Sequence, residues 1–368
     1  MNEEMHAGHV PDGTKPPQPP PPAAQRVADE LLMRHGLGHA LHLELAPGGL
    51  LNQNLFATTA KGSFFLKGYR YPDPAPIARE HKLIAFLRSY GVFALAPLPS
   101  PSGDTFVRVG GRHWAVFSRL DAAQPSRDAV TPQVAAEIGR TLGQIHVALA
   151  SLPPLDAAQF PAKHTWSTGR VIDDMIEYEM EIGRRLAPDP FDQHALRSFA
   201  YRRTLLAAGI PAPEEFAHLP SQVLHGDYHA GNLFVGEDGL VCAVIDWELA
   251  CTGARAWEIV RALNLALPLR DDLTEGGSCL RAFIHGYAAV AMLTHQECDA
   301  MPELYWAARV HSLWVYEEHY RKGAARTDRL AMEDLETLHW LASHRQELRS
   351  ALTDALATAP GRQLSRSS

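Results

Sequence analysis

Apolar and polar side chains alternate along several short runs in the first third of the chain, and this period of two predicts β-strands. Glycine and proline separate the runs, which favours an antiparallel meander. The predicted strands cover residues 41–45, 55–59, 63–69, 105–109 and 114–118. A helical pattern over 75–90, with Gly91 directly after it, predicts one long helix among them. Together these elements predict a small α+β lobe.

After Pro125 the apolar residues recur every three or four positions, which predicts helices. Thr131 and Pro132 are typical of a helix start, an N-cap followed by a first-turn proline. Further helices are predicted over 172–186, 193–208, 256–267, 280–293, 303–320 and 329–348. The helical region is interrupted by strand patterns at 222–224, 233–235 and 241–246. Strands inside a helical lobe indicate a place to look for a functional site.

Length, charge and cysteine content narrow the class of protein. The 368 residues predict two lobes, and four cysteines without metal-site spacing predict free thiols in a reducing, cytoplasmic compartment. The net charge of −8 argues against nucleic acid as the main partner, because that role requires a clustered positive surface. No apolar run approaches the roughly 18–20 residues of a membrane helix, so no membrane partner is expected. The composition leaves the oligomeric state open.

The strand patterns enclose a string of chemically active residue types. His225 stands two positions before Asp227, Asn232 follows five positions after it, and Asp246 ends the next hairpin. This is the order of the protein-kinase catalytic loop and its metal-binding aspartate. Phosphoryl transfer needs a carboxylate at the attacking hydroxyl, which suits Asp227. Magnesium prefers oxygen ligands, which suits the amide of Asn232 and the carboxylate of Asp246.

A second, independent sign of a kinase lies in the first lobe. A kinase needs a lysine on a strand and a carboxylate on the following helix, close to the nucleotide phosphates. Lys67 ends a predicted strand, and Glu80 follows thirteen residues later in the one long helix. Each residue alone is typical of a solvated surface. Together with the motif, they predict that Lys67 binds the phosphates and that Glu80 holds Lys67.

The strings HGDYHAGN at 225–232 and IDWE at 245–248 resemble the aminoglycoside phosphotransferase and choline kinase superfamily, over about residues 27 to 345. The resemblance implies a bilobal, protein-kinase-like α+β fold with a small antiparallel sheet lobe and a larger, mainly helical lobe. It implies Mg²⁺ with ATP, or GTP, as phosphate donor. The implied acceptor is a hydroxyl of a small molecule: an amino alcohol, an amino acid, a sugar or an aminoglycoside. Asp227 becomes the catalytic base, with Asn232 and Asp246 as metal ligands.

Further nucleotide contacts are predicted by position. The residues predicted to contact the nucleotide are Lys67, Glu80, Asn52, Phe117, Arg119, Phe234 and Ile245. Asn52 lies in segment 47–54, which stands where protein kinases have a glycine-rich loop. Phe117 and Arg119 belong to the strand expected to pair with the base. Phe234 and Ile245 are either an apolar floor under the base or ordinary core of a hairpin, and both roles are compatible.

These predictions divide the chain into four parts. Seven prolines between residues 11 and 22 predict an extended tail. The predicted parts are a disordered tail over 1–26, a nucleotide-binding lobe over 27–121, a catalytic and acceptor-binding lobe over 122–350, and a flexible tail over 351–368.

Three other functions stay open at this point. One is a protein Ser/Thr kinase of the bacterial stress-response type, whose catalytic string is similar to 225–232. Another is a metal-dependent phosphohydrolase, whose ligands would be His225, Asp227, His229 and Asp246. The third is a catalytically silent nucleotide-binding module. Lys67 and Glu80 argue against the hydrolase, which has no use for them, and the intact Asp227 argues against the silent module.

The acceptor pocket is expected between the catalytic loop and the later helices. Its candidate residues are Tyr228, Glu248, Trp257, Glu258, Trp314, Glu317 and Glu318. Trp314, Glu317 and Glu318 share a face of the predicted helix 303–320. That face either suits an amine-bearing acceptor or is a solvated helix edge.

Overall fold

The computed structural model of the protein describes residues 22–46, 52–163 and 165–360. The chain divides into two compact units. The first contains the described residues up to Ile77 together with Ala96–Leu120. The second contains Ala78–Leu95 and the described residues from Asp121 onward.

The first unit is built on an antiparallel sheet of five strands, in the spatial order β1-β2-β3-β5-β4. The strands are β1 His42–Leu45, β2 Gln53–Thr59, β3 Gly62–Gly68, β4 Val107–Val109 and β5 Arg112–Ser118. Each of them lies within two residues of its predicted position. The alternating pattern located them because one face of the sheet packs into a continuous apolar core.

Helix α1, Pro22–Arg34, completes that core. The sequence assigns residues 22–26 to a disordered tail, and this assignment is wrong because they form the first turns of the helix. Proline is well suited to a first helical position, where its missing N–H has no partner to lose. Ala24, Ala28 and Leu31 then bury an apolar face against the strands. The remaining residues of the predicted tail, 1–21, lie outside the described residues.

The second unit is mostly helical, as predicted. Helix α2, Ala75–Ser89, has all but its first three residues in this unit. The other helices are α3 Pro132–Ala150, α4 Pro154–Ala157, α5 Thr168–Gly183, α6 Pro190–Ala208, α7 Arg255–Ala266, α8 Leu269–Thr274, α9 Ser278–Ala288, α10 His295–Val310, α11 Trp314–Tyr316 and α12 Arg329–Ala357. The predicted start of α3 is confirmed, since the Thr131 side chain accepts the N–H of Val134 at 3.4 Å.

Helices α3 and α9 cross at unusually close range. A Cβ atom added to Gly139 would lie 2.1 Å from the Phe283 carbonyl oxygen, and one added to Gly286 would lie 1.9 Å from that of Ala136. Both positions therefore require glycine for the helices to meet. The close crossing brings His146 of α3 within 2.8 Å of the Tyr287 hydroxyl of α9, directly behind the region of the sequence motif.

Two short antiparallel sheets carry that motif. One pairs β7, Leu233–Val235, with β8, Val241–Val244, and the other pairs β6, Ser221–Leu224, with β9, Cys251–Ala254. The sequence analysis missed β9, whose four residues Cys-Thr-Gly-Ala have no alternating pattern. Strand β8 also ends two residues earlier than predicted, because the chain turns sharply at Asp246.

The helix predicted over 303–320 is wrong at both ends. Helix α10 begins at His295, where Thr294 and Glu297 form a capping box, and Pro302 lies inside it. It ends at Val310, because the buried Arg202 guanidinium donates hydrogen bonds to the carbonyl oxygens of Arg309 and Val310, each at 2.7 Å. The chain then re-enters helix as α11 and a π-helical turn, Glu317–Arg321.

The C-terminal boundary also differs from the prediction. Residues 351–357, assigned to a flexible tail, continue helix α12, and Leu352 and Leu356 are completely buried. Their apolar spacing of four residues gives α12 a packed face to its end. The last residues, 361–368, lie outside the described residues. Among the helices described, none is long and apolar enough to cross a membrane.

Candidate active site

The loop that follows β6 turns on a glycine. Gly226 has a φ of +81°, and a Cβ atom there would lie 2.0 Å from the Leu249 carbonyl oxygen. Any other side chain would need both a left-handed backbone and the displacement of residue 249. The glycine therefore lets the loop pass closely over the segment that follows Asp246.

His225 is completely buried and fixes the loop to the next strand. Its Nδ1 accepts the N–H of Asp227 at 3.2 Å, so its proton resides on Nε2, which donates to the Ile245 carbonyl oxygen at 2.9 Å. The ring packs on Trp247, with 4.3 Å between ring centroids. Burial lowers the pKa of His225, so the ring is a neutral structural link between the loop and the next strand.

Glu258 of α7 lies under the same loop and has no exposed surface. Its two carboxylate oxygens accept the backbone N–H groups of His225, at 3.1 Å, and Gly226, at 2.6 Å. Burial raises the pKa of this carboxyl group, but hydrogen bonds from His146 and Gly226 outweigh it and bring the pKa below its ordinary value. The carboxylate is thus a fixed anion that holds the backbone of the loop.

A chain of hydrogen bonds continues behind Glu258. His146 Nε2 lies 2.9 Å from a Glu258 oxygen, and His146 Nδ1 lies 2.8 Å from the Tyr287 hydroxyl. Burial raises the pKa of Tyr287, which keeps its hydroxyl protonated and able to donate. Because a carboxylate only accepts, the direction is Tyr287 to His146 to Glu258. This relay connects the loop to the close crossing of α3 and α9.

Asp227 projects from this supported loop and is held on both oxygens. Oδ1 accepts Arg261 Nη2 at 2.5 Å, while Oδ2 lies 3.3 Å from the Asn232 amide nitrogen and 3.5 Å from His229 Nε2. Burial raises the pKa of the Asp227 carboxyl, but the Arg261 guanidinium and His229 outweigh it and hold the pKa well below its usual range. Asp227 is therefore an ionised carboxylate in a fixed orientation, with about a fifth of its side chain exposed.

The structure brings the predicted oxygen ligands to the same region of the second unit. Asn232 donates its amide N–H to the carbonyl oxygen of Asp227 at 2.9 Å, and its own carbonyl oxygen accepts the N–H of Ile245 at 3.0 Å. Its side-chain Oδ1 accepts no hydrogen bond from the described residues. Asp246, with a φ of +64°, is the one non-glycine residue of the described chain in the left-handed region. Such backbone strain is typical of functional sites.

The histidines do not form the zinc site of the hydrolase alternative. His225 uses both ring nitrogens within the loop, and His229 accepts the N–H of Gly231 on Nδ1 at 3.0 Å. Across the described ranges, no group of three or more His, Cys, Asp and Glu side chains is arranged to bind a metal ion.

The predicted nucleotide residues of the first unit lie on its sheet or directly beside a strand end. Lys67 of β3 is buried, and its Nζ is 4.8 Å from the centroid of the Tyr69 ring. The Asn52 side chain accepts the N–H of Arg70 at 3.1 Å. Phe117 is buried on β5. Arg119 donates its backbone N–H to the Ser63 carbonyl oxygen, and its side chain forms a 3.3 Å ion pair with Glu44.

Glu80, Phe234 and Ile245 belong to the second unit. Glu80 is buried on α2, whereas Phe234 and Ile245 are half-buried on the hairpin of β7 and β8 and just beyond it. The two glycines of the predicted phosphate loop, within 47–51, lie outside the described residues.

The acceptor candidates are distributed differently from the expectation. Tyr228 is completely buried and donates to the Ile138 carbonyl oxygen at 2.9 Å, and Glu258 lies behind the loop. Glu317 and Glu318 both form ion pairs with Lys322, at 3.2 and 2.8 Å. Arg261 is a site residue that was not predicted, although a signal was present: three charged residues, each three positions after the last, occur in the otherwise mainly apolar helix α7.

The sequence profile of the phosphotransferase enzyme family matches residues 42–300, which is more than half of the chain. The chain belongs to this family. Two curated homoserine kinases are similar to it. One, from Caulobacter sp. (strain K31), is 28% identical over 273 residues, with 73% of this chain and 78% of that protein covered. The other, from Methylobacillus flagellatus, is 26% identical over 292 residues, with 77% and 83% covered.

A solved structure shows the same fold. The spectinomycin phosphotransferase, crystallised with ADP and spectinomycin, superimposes with a TM-score of 0.61 at 14% identity, and the match covers 90% of this chain and 98% of that one. The predicted α+β kinase-like fold is confirmed. The protein is a phosphotransferase that acts on a hydroxyl group of a small molecule, and the protein kinase, phosphohydrolase and silent-module alternatives fit less well.

Proposed function

We propose that the protein transfers the γ-phosphate of ATP to the hydroxyl of a small amino alcohol or amino acid, with homoserine as the first acceptor to test. The observation that carries this proposal is the ionised Asp227, fixed on both oxygens and mounted on a loop whose backbone is held by Glu258. The homoserine kinases among its relatives support this acceptor class.

Asp227 is proposed as the residue that orients the acceptor hydroxyl and accepts its proton. An ionised carboxylate has lone pairs for an O–H donor, and its fixed position limits the orientations of the attacking oxygen. The hydrogen bonds from Arg261 and Asn232 keep it in one orientation without the acceptor. The loop therefore needs little rearrangement when the acceptor binds.

Asn232 and Asp246 are proposed as the residues that hold magnesium. Their donor atoms, an amide oxygen and a carboxylate, are the hard oxygen ligands that this ion prefers. The amide nitrogen of Asn232 is already bonded to Asp227, which leaves Oδ1 as the atom available to a metal. When bound, magnesium would neutralise charge on the phosphates during transfer.

The remaining nucleotide assignments are part of the same proposal. Lys67 is proposed to bind the phosphates and Glu80 to support it, with Asn52, Phe117, Arg119, Phe234 and Ile245 as further contacts. Both Lys67 and Glu80 are buried, which is unusual for charged side chains and supports a specific role. The same proposal places the protein in a reducing cytoplasm, which is supported by four cysteines that form no disulfide.

The decisive variant is Asp227→Asn, which keeps the shape of the side chain but removes its charge. With MgATP and L-homoserine, kcat is expected to fall by about 100-fold to 10,000-fold, the usual contribution of a general base. ADP release and ³¹P detection of the phosphorylated product measure the effect.

Asp238→Asn is the matched control, because Asp238 is an exposed turn residue on the hairpin after the loop. It is expected to retain the wild-type kcat. Turnover retained in Asp227→Asn would contradict the base assignment, and absence of turnover in the wild type with every small hydroxyl acceptor would contradict the proposed function.

A further inference from the structure

Arg261 brings a positive charge to the point where the acceptor hydroxyl would meet Asp227. Its Nη2 is 2.5 Å from Asp227 Oδ1, and five-sixths of its side chain is buried. Helix α7 positions it one turn after Glu258, on the side of the helix that faces the loop. Any acceptor whose hydroxyl reaches Asp227 therefore comes within a few ångströms of this guanidinium.

The guanidinium has more donors than the protein uses. Arginine carries five N–H donors in a planar fork, and Arg261 uses one nitrogen for Asp227. Its Nη1 is buried and has no hydrogen-bond partner among the described residues. Burying a charged donor without an acceptor is unfavourable, so an oxygen of a bound molecule would satisfy what the protein leaves unpaired.

Lys163 adds a second cation beside the first. Its Nζ lies 5.7 Å from the centroid of the Trp257 ring, and the Arg261 guanidinium carbon lies 5.5 Å from the same centroid. The backbone N–H of Lys163 donates to the Thr252 carbonyl oxygen at 2.8 Å, which anchors this residue to strand β9. Its side chain is exposed and forms no ion pair within the described part of the chain.

The negative charges nearby are already engaged. Asp227 offsets part of the charge of Arg261, and Glu258 is occupied by two loop N–H groups and by His146. Both cations lie close to Cys251: burial and Glu258 raise the pKa of its thiol, to about 12, while Lys163 and Arg261 act to lower it. Arg261 Nη1 and the exposed Lys163 side chain are therefore the cationic groups beside Asp227 that the described residues leave available to a bound anion.

We infer that Arg261, assisted by Lys163, binds a carboxylate of the acceptor, so that the enzyme selects hydroxyl acceptors that carry an acid group over those that lack one. This inference rests on the proposed function. It adds that a carboxylate of the acceptor is recognised and that Arg261 and Lys163 recognise it. A planar guanidinium binds a carboxylate through two parallel hydrogen bonds, which an amine or a neutral hydroxyl does not form. Arg261 is thus a specificity residue that touches the acceptor and also orients Asp227.

The test uses pairs of acceptors that differ only in the carboxylate. L-Homoserine is compared with 3-amino-1-propanol, and L-serine with ethanolamine, in the wild type, Arg261→Gln, Arg261→Lys and Lys163→Gln. Arg261→Gln is expected to lower kcat/KM for the carboxylate member about 10-fold to 100-fold more than for its partner, mainly through KM. Arg261→Lys should recover part of this preference, and Lys163→Gln should reduce it about 2-fold to 5-fold because Lys163 is exposed.

The surface variant Arg281→Gln, whose residue is exposed, is the control and should keep both the activity and the preference. An equal loss for both members of a pair in Arg261→Gln would overturn the inference, since Arg261 would then act through Asp227 or on the transferred phosphate. A wild type that phosphorylates only the acceptors without a carboxylate would also overturn it, while the proposed phosphotransfer would stand.

Calorimetric titration without ATP separates this inference from the proposed function. Binding of L-homoserine or L-serine to the wild type, weakened at least 10-fold in Arg261→Gln, supports the carboxylate site even if turnover is absent. Failure of both amino acids to bind the wild type, together with turnover of neutral acceptors, overturns the inference alone. Absence of both binding and turnover with every acceptor overturns both proposals.

Discussion

Two of the completely buried charged side chains of the second unit, Glu258 and Arg202, have opposite signs and both bind backbone groups. Glu258 accepts the backbone N–H groups of the catalytic loop, whereas Arg202 donates to the backbone carbonyl groups at the end of α10. Each supplies hydrogen bonds to backbone groups that have no partner in regular secondary structure. At both sites a buried charge binds the backbone: the anion of Glu258 binds N–H groups, and the cation of Arg202 binds carbonyl oxygens.

The difference lies in what the held backbone carries. The loop that Glu258 holds leads from Gly226 directly to Asp227, so its position determines the position of the candidate base. The helix end over Arg202 leads to a turn, and Arg202 forms an ion pair with Asp334, which also binds Arg309. A buried charge is therefore not evidence of catalysis by itself. The backbone that it supports decides whether it acts on the site or on the stability of the fold.

The largest expected effect is a loss of stability in Arg202→Met. The variant removes the side-chain donor of the Arg309 and Val310 carbonyl oxygens, although the Arg309 oxygen keeps the Ser312 N–H at 3.1 Å. It also removes one of the two cations at Asp334, and the expected loss is about 3–5 kcal/mol in the free energy of unfolding. Denaturant titration measures this value, and kcat per folded molecule should stay at the wild-type level. The control is Arg203→Met at the neighbouring position, where a partly exposed ion pair with Glu179 predicts a loss of less than about 1 kcal/mol.

For Glu258→Gln the main expected effect is on kcat, whereas for Arg202→Met it is on stability. The amide presents only one accepting oxygen to two loop N–H groups, so the loop shifts and kcat should fall about 100-fold, the effect of a small misplacement of a catalytic group. Glu297→Gln is the matched control, because Glu297 is also fully buried but is bonded to Arg255 and Thr294. A similar loss of kcat in both variants would show that the comparison between the two buried charges is wrong.

Local patterns were sufficient to predict most elements and the order of the motif. The alternation in β1 to β5 and the cap at Thr131 are local signals, and so is the spacing of Asp227 and Asn232. The contacts that support the motif are not local. His146 of α3 and Glu258 of α7 are separated by 112 residues, and His146 meets Tyr287 where α3 and α9 cross through glycines. No periodicity encodes either contact.

The errors have the same origin. Helix α10 ends where Arg202, more than 100 residues earlier, captures its carbonyl groups, and β9 exists only as the partner of β6. Residues 22–26 and 351–357 are ordered because the unit on which each packs buries their apolar faces. In each case the tertiary structure supplies the partner that determines the element. The roles of Lys67 and Glu80 stay predictions.

The smallest expected effect tests the far end of the relay behind Glu258. Tyr287→Phe removes the hydroxyl that donates to His146 and leaves a buried ring nitrogen without a partner, which costs about 1–2 kcal/mol. Tyr305→Phe is the control, since it also removes one buried hydrogen bond, to Asn264, without contact to the relay. If the relay orients Glu258, only Tyr287→Phe lowers kcat, by several-fold, at a similar loss of stability. Equal kcat in the two variants would show that Tyr287 does not help to position the loop and that only Glu258 and His146 do.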